Sequence, residues 1–194
     1  MNCVRTYTGR TVSLVTPQAD TISILDIACA LSRINRFSGM TKLPVNVADN
    51  SLNVVRWLAA AKAPPLVQMY GLLHDAHKAY IGDITGPVRR ELADWAGRDI
   101  VQRIADRLDL AIRPAFDLPP HIDVRHLSII HLADQAVLAA EWRDLMEGHS
   151  PIAAMPATFA IKPRNADQSE IAFLKQFDLL RIAIGPSLAT ATRR

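Results

Sequence analysis

His74, Asp75, His77 and Asp83 lie close together in LLHDAHKAYIGD, a stretch whose other residues are mostly apolar. A polar ring inside apolar surroundings must find a partner. A divalent cation is one such partner, because neutral imidazole and ionised carboxylate are both good ligands for it. Taken by itself, the His74-Asp75 dipeptide also reads as a core histidine bonded to a backbone carbonyl beside a surface aspartate. A further carboxylate, Asp134, stands in IIHLADQAVLAAEW on or next to the apolar stripe of Ile130, Ala133, Val137 and Leu138. A buried carboxylate needs a counter-charge, supplied either by a cation shared with His74 and Asp75 or by an arginine from elsewhere in the chain. Asp83 directly follows the apolar stretch, and alone it reads as a turn residue.

The elements that must position these residues are helical. Ile24, Ile27, Ala28, Leu31 and Ile34 recur at three- and four-residue steps from Asp20 to about Asn35. Asn46 is the predicted N-cap of a second helix ending near Lys62. Pro64 and Pro65 open a third, LVQMYGLLHDAHKAYI, apolar on most sides and read as one continuous element that crosses the centre of the domain. The segment VRRELADWAGRDIVQRIADRLDL reads as a fourth helix burying Trp95, Ile100, Ile104 and Leu108. The fifth and longest runs from about Asp123 to Glu147 over a buried stripe that includes Leu127 and Trp142. A proline-containing loop then leads to a last amphipathic helix from about Asp167 to Ile184, and PSLATATRR reads as a frayed end. Before all of these, TVSLV and Thr8-Gly9 predict a short hairpin or extended arm. The fold class is therefore all-α, a helical bundle with a short N-terminal β-hairpin or arm. Its expected parts are an arm over 1–20, a helical core over 21–150, and a C-terminal loop, packing helix and tail over 151–194.

With 194 residues, 49% of them hydrophobic and 21% charged, the chain can bury a core without help from a metal or disulfide. Any cation would serve chemistry. Residues 1–159 carry 16 basic and 16 acidic side chains, and residues 160–194 carry 6 against 3. The basic excess is thus a property of the C-terminal part, and no basic face for nucleic acid is expected. Cys3 and Cys29 lack metal-type spacing and predict free thiols in a reducing compartment, the cytoplasm. Neither a signal peptide nor a membrane span is legible.

Together the residues resemble the HD-domain phosphohydrolases, metal-dependent all-α hydrolases of nucleotides and other phosphate esters. LLHDAHKAYIGDITGPVRREL resembles the central signature of the branch containing bacterial 5′-deoxynucleotidases and related phage and plasmid proteins. INRF at 34–37, NVADNS at 46–51 and LADQAVLAAEW resemble three further motifs of that branch. The resemblance spans roughly residues 1–147. It implies metal ligation by His74, Asp75 and Asp134, a proton-handling role for Asp83, and a phosphate contact from Arg36 beside the aromatic Phe37. The implied cofactor is a divalent ion (Mg, Mn, Co or Zn), and the implied partner is a small-molecule nucleotide.

Two positions depart from the family. Asn50 stands where the first metal-binding histidine is expected, replacing a nitrogen donor with an amide oxygen better suited to a harder cation. Lys78 stands where a glutamate is expected and puts a positive charge beside the ligands. His77, one helical turn from His74, is read as a substitute base or ligand, and Lys78 with Arg36 and Arg89 as a phosphate cradle. Two functions follow: a metal-dependent phosphohydrolase of a (deoxy)nucleotide, or a catalytically degenerate relative that binds a nucleotide or phosphate without turnover. The last helix, near Phe159, Phe173 and Phe177, either serves as the contact of a homodimer or simply closes the core.

Overall fold

The computed structural model describes residues 2–185, and the tail expected to fray lies outside them. Near the N-terminus Cys3–Arg5 (β1) pairs antiparallel with Thr11–Ser13 (β2), Val4 opposite Val12. Gly9 takes the positive φ of the turn (83°). Thr8 docks this hairpin onto the first helix, donating its backbone N–H (2.7 Å) and its hydroxyl (2.8 Å) to the two oxygens of Asp26.

Eight α-helices follow among the described residues: Ile24–Arg33 (α1), Val47–Ala60 (α2), Pro65–Leu72 (α3), Lys78–Ile81 (α4), Gly86–Ala96 (α5), Ile100–Ala115 (α6), Val124–Leu145 (α7) and Ala166–Ile184 (α8). The all-α class and the hairpin are as expected. So is the predicted cap of α2, where Asn46 accepts from Asp49 N; ahead of α7, Asp123 accepts from Arg125 N in the same way. The core joins Ile27 and Leu31 of α1, Val54 and Leu58 of α2, Leu72 of α3, Leu108 and Ile112 of α6, Val137 of α7 and Phe173 of α8. None of the described helices is long and apolar enough to cross a membrane.

Three expectations are corrected. The third element is not continuous, because α3 stops at Leu72 and the chain turns tightly through Leu73–His77 before α4. Here Ala76, Lys78, Ala79 and Tyr80 donate to carbonyls three residues back instead of four. The Gly71 carbonyl accepts from the His74 ring. The fourth segment is likewise two helices, divided where Gly97 adopts the left-handed conformation (φ 67°) and Asp99 caps α6. Trp95 is left 86% exposed, and Leu127 also faces outward. In α8, which packs across α1, α2 and α3, Phe173 and Phe177 are buried in the chain's own core.

Between α1 and α2 the backbone makes an excursion pinned at its base. Asn35 bridges Asn46, Arg36 N donates to Val45 O, and Val47 N donates to Ile34 O. Arg36 thereby enters the interior from a fixed point. Phe37 and Ser38 beyond it both hold φ of 53°, a conformation unusual for residues with a side chain.

Gly71 sits where α3 crosses α2. A Cβ there would run into Leu58 Cδ1 and come within 3.3 Å of Val54 Cγ1, both on fully buried side chains. Overpacking should outweigh the gain in helix propensity, so Gly71→Ala is expected to lose about 1–2 kcal/mol in urea unfolding. Unchanged or higher stability would mean that α2 and α3 are not this close.

Candidate functional site

The tight turn after α3 aims His74 into the bundle. Its Nδ1 donates to Gly71 O at 2.8 Å, which fixes the ring and directs Nε2 toward two carboxylates. Nε2 stands 3.3 Å from Asp75 Oδ2 and 3.6 Å from Asp134 Oδ1 on α7. Neither contact is a well-formed hydrogen bond, and the attraction is ionic. Burial disfavours a charged ring here, but Asp75 and Asp134 outweigh it and raise the imidazole pKa to about 10. Asp75 responds in kind: burial would raise its carboxyl, yet His74 and Lys78 hold it well below the usual range.

Lys78, the first residue of α4, contacts two carboxylates. Its Nζ lies 2.9 Å from Asp75 Oδ2 and 2.6 Å from Asp83 Oδ1. Arg36 enters from the pinned excursion, its Nη1 standing 3.8 Å from the same Asp75 oxygen. The rest of its guanidinium is held by Glu141, with Nε at 2.9 Å and Nη2 at 2.8 Å from Oε2. Asn50 of α2 donates Nδ2 to the other oxygen of Glu141 at 3.0 Å. Burial pushes the Glu141 carboxyl up, opposed by Arg36 and Asn50. Phe37 lies beside Arg36, with the guanidinium carbon 5.4 Å from its ring centre, and meets Trp142 edge to face.

The structure thus gathers Arg36, Asn50, His74, Asp75, Lys78, Asp83 and Asp134 around one locus. His77 faces elsewhere, its Nδ1 lying 3.2 Å from Asp109 of α6, which also pairs with Arg113. Arg89 bonds Asp99 and Gln102 near the start of α6. Glu141 is the residue that sequence reasoning missed. The available signal was its place seven residues after Asp134 on one helix, which puts both on one face within an apolar run.

As they stand, no three or more His, Cys, Asp or Glu side chains among the described residues form a ready metal cage. The donor types nevertheless fit a divalent cation. His74 Nε2 and Asn50 Oδ1 are buried, and among the described residues neither has a hydrogen-bond partner. The 3.3 and 3.6 Å separations of His74 Nε2 from the two carboxylates resemble those of donors sharing a small cation at roughly 2.0–2.2 Å each. The obstacle is Lys78, whose ammonium lies on the Asp75 oxygen that such a cation would use.

No family model matches the chain. It is 32% identical over 145 residues to the uncharacterized protein YfdR of Escherichia coli (strain K12), covering 75% of this chain and 73% of that protein. With the uncharacterized protein RCAP_rcc00048 of Rhodobacter capsulatus it shares 33% identity over 120 residues, 59% of this chain and 58% of that protein. Among solved structures it is similar to the cyanophage S-2L HD phosphohydrolase DatZ, bound to dA and one catalytic Zn2+ ion. That similarity has a TM-score of 0.43 at 15% identity and covers 85% of this chain and 94% of that one.

Two expectations follow from the geometry. Replacing Glu141, fully buried between Arg36 and Asn50, by glutamine leaves a buried guanidinium with a neutral partner. Glu141→Gln should cost roughly 3–5 kcal/mol in chemical denaturation, and a loss under about 1 kcal/mol would show that Arg36 is free to reach water. For His74 the folded pKa is raised to about 10, above the ordinary value near 6.5. The charged ring therefore stabilises the chelator-treated protein fully below about pH 6.5, and that contribution disappears as pH rises through about 10. Comparison of wild type with His74→Gln from pH 6 to 10 should show their difference in melting temperature shrinking with pH. A ring resonance titrating near 6.5 would refute the assignment.

Proposed function

The chain belongs to the family of the Escherichia coli protein YfdR, and from that premise and the locus around His74 we propose a metal-dependent phosphohydrolase of the HD type. Its proposed substrate is the phosphate ester of a (deoxy)nucleotide. The observation that carries this reading is the buried Nε2 of His74, oriented by Gly71 toward Asp75 and Asp134 and left without a hydrogen-bond partner among the described residues. The residue pattern around His74 and Asp75, with Asp83 and Asp134 at their positions, supports the same reading.

His74, Asp75 and Asp134 would hold the cation, with Asn50 Oδ1 as a further oxygen donor. A divalent ion there lowers the pKa of a water and neutralises charge on phosphate oxygens. Arg36, kept rigid by Glu141, presents Nη1 toward the same locus and is suited to a phosphate oxygen. Lys78 can turn its ammonium from Asp75 to the phosphate. Asp83 Oδ1, now paired with Lys78, is placed to take a proton from the attacking water or return one to the leaving oxygen. Restricted exposure of these side chains limits competing water.

Lys78 favours a second reading, a site that binds the phosphate of a nucleotide without turning it over. Its ammonium already supplies positive charge between Asp75 and Asp83. Phosphate release from deoxynucleoside mono- and triphosphates with Mg2+, Mn2+, Co2+ or Zn2+, after metal analysis of the purified protein, separates the two. Turnover is expected with at least one ion, and His74→Ala or Asp134→Asn should each lower it roughly hundredfold or more. Nucleotide binding with no bound metal and no release above background would establish the second reading instead.

A further inference from the structure

The carboxylate oxygen Asp75 Oδ2 is shared by three nitrogen groups: Lys78 Nζ at 2.9 Å, His74 Nε2 at 3.3 Å and Arg36 Nη1 at 3.8 Å. A cation held by His74 and Asp75 needs that oxygen. It would also lie within a few ångströms of two permanent positive charges, where repulsion between unpaired charges is strong. The two charges differ in freedom. Arg36 is anchored by two contacts to Glu141 and leaves a backbone stapled to Val45, so it cannot withdraw. Lys78 has a flexible four-carbon stem and a second acceptor, Asp83, in the segment after α4.

We infer that Lys78 is a built-in competitor for the divalent cation, occupying the Asp75 oxygen until it withdraws onto Asp83 alone, which it already contacts, or moves to an incoming phosphate. This rests on the metal site of the proposed function and adds to it a residue that sets cation affinity. The ligand-free protein then binds its cation weakly because an internal ammonium must first be displaced, although nitrogen and oxygen donors are all present. The anion that draws Lys78 away also uncovers the oxygen, so a phosphate-bearing ligand and the cation favour each other's binding.

The test is a Mn2+ titration of the chelator-stripped 194-residue chain without any phosphate, following free Mn2+ by electron paramagnetic resonance. Wild type is compared with Lys78→Met, Lys78→Gln and Lys78→Arg, each checked by circular dichroism and melting temperature. Removing the charge in either neutral variant should tighten Mn2+ binding by roughly tenfold or more. Lys78→Arg, which keeps the charge, should stay close to wild type. Adding Asp134→Asn to Lys78→Met should abolish the gain, locating the ion at this site. Equal affinity in the wild type and the folded neutral variants, with binding lost in His74→Ala, would overturn the competitor role while leaving the metal site intact. No Mn2+ binding by any of the proteins would overturn the metal site itself, and the competitor role with it.

Discussion

Glu141 has no exposed surface, and a carboxylate in that position can stay ionised only against a partner that is also out of water. Arg36 is that partner. The pair joins the pinned excursion after α1 to the C-terminal part of α7, and Asn50 adds α2 through its amide. Such a pair contributes little net stability compared with well-packed apolar side chains, because both ions lose hydration. What it enforces is position. Arg36 Nη1 has nowhere to point except toward Asp75, and the Asn50 amide must turn its donor to Glu141, leaving Oδ1 without a partner among the described residues.

From that fixed point the remaining charges arrange themselves. Counting His74 as charged at neutral pH, as its raised pKa requires, the locus sets Arg36, His74 and Lys78 against Asp75, Asp83, Asp134 and Glu141. The carboxylates therefore outnumber the cations. This imbalance leaves the locus with more negative than positive groups although three cationic side chains already lie in it. A dication that displaced the His74 proton and pushed Lys78 away from Asp75 would exchange one set of counter-charges for another without altering the carboxylates.

Much of this was legible in the sequence wherever one face of an element decides its fate. The apolar steps of α1, the Asn46 cap of α2 and the long stripe of α7 each declare a helix, and the alternation in TVSLV declares the hairpin. The turn at Leu73–His77 was not, because no proline or glycine within it marks a break and its residues are compatible with a helix. What breaks the helix is a side chain bonding a backbone carbonyl, His74 to Gly71, and no periodicity records such a bond. Trp95 reads as core for the opposite reason: its spacing fits a stripe, but Gly97 and Asp99 redirect the chain before that stripe can be covered. His74, Asp75, Asp83 and Asp134 were legible as a set, whereas Glu141 was hidden because one acidic residue near Arg143 and Asp144 looks like part of a solvated face.

The same turn separates two neighbours that a continuous helix would leave on adjoining faces. His77 faces Asp109 and with it α6, while Lys78 faces Asp75 and Asp83. The start of α4 is thus held from both sides by polar contacts among the chain's own side chains. Around it the core is closed by apolar contacts from α1, α2, α3, α6, α7 and α8. The turn is defined by backbone bonds and by the Gly71 carbonyl, so the bonds that aim His74 do not involve the side chains of Asp75 or Lys78. The bonds that shape the turn are therefore distinct from the charges that line the locus. A lysine at position 78 can stand between Asp75 and Asp83 because none of the backbone bonds that present it runs through its side chain.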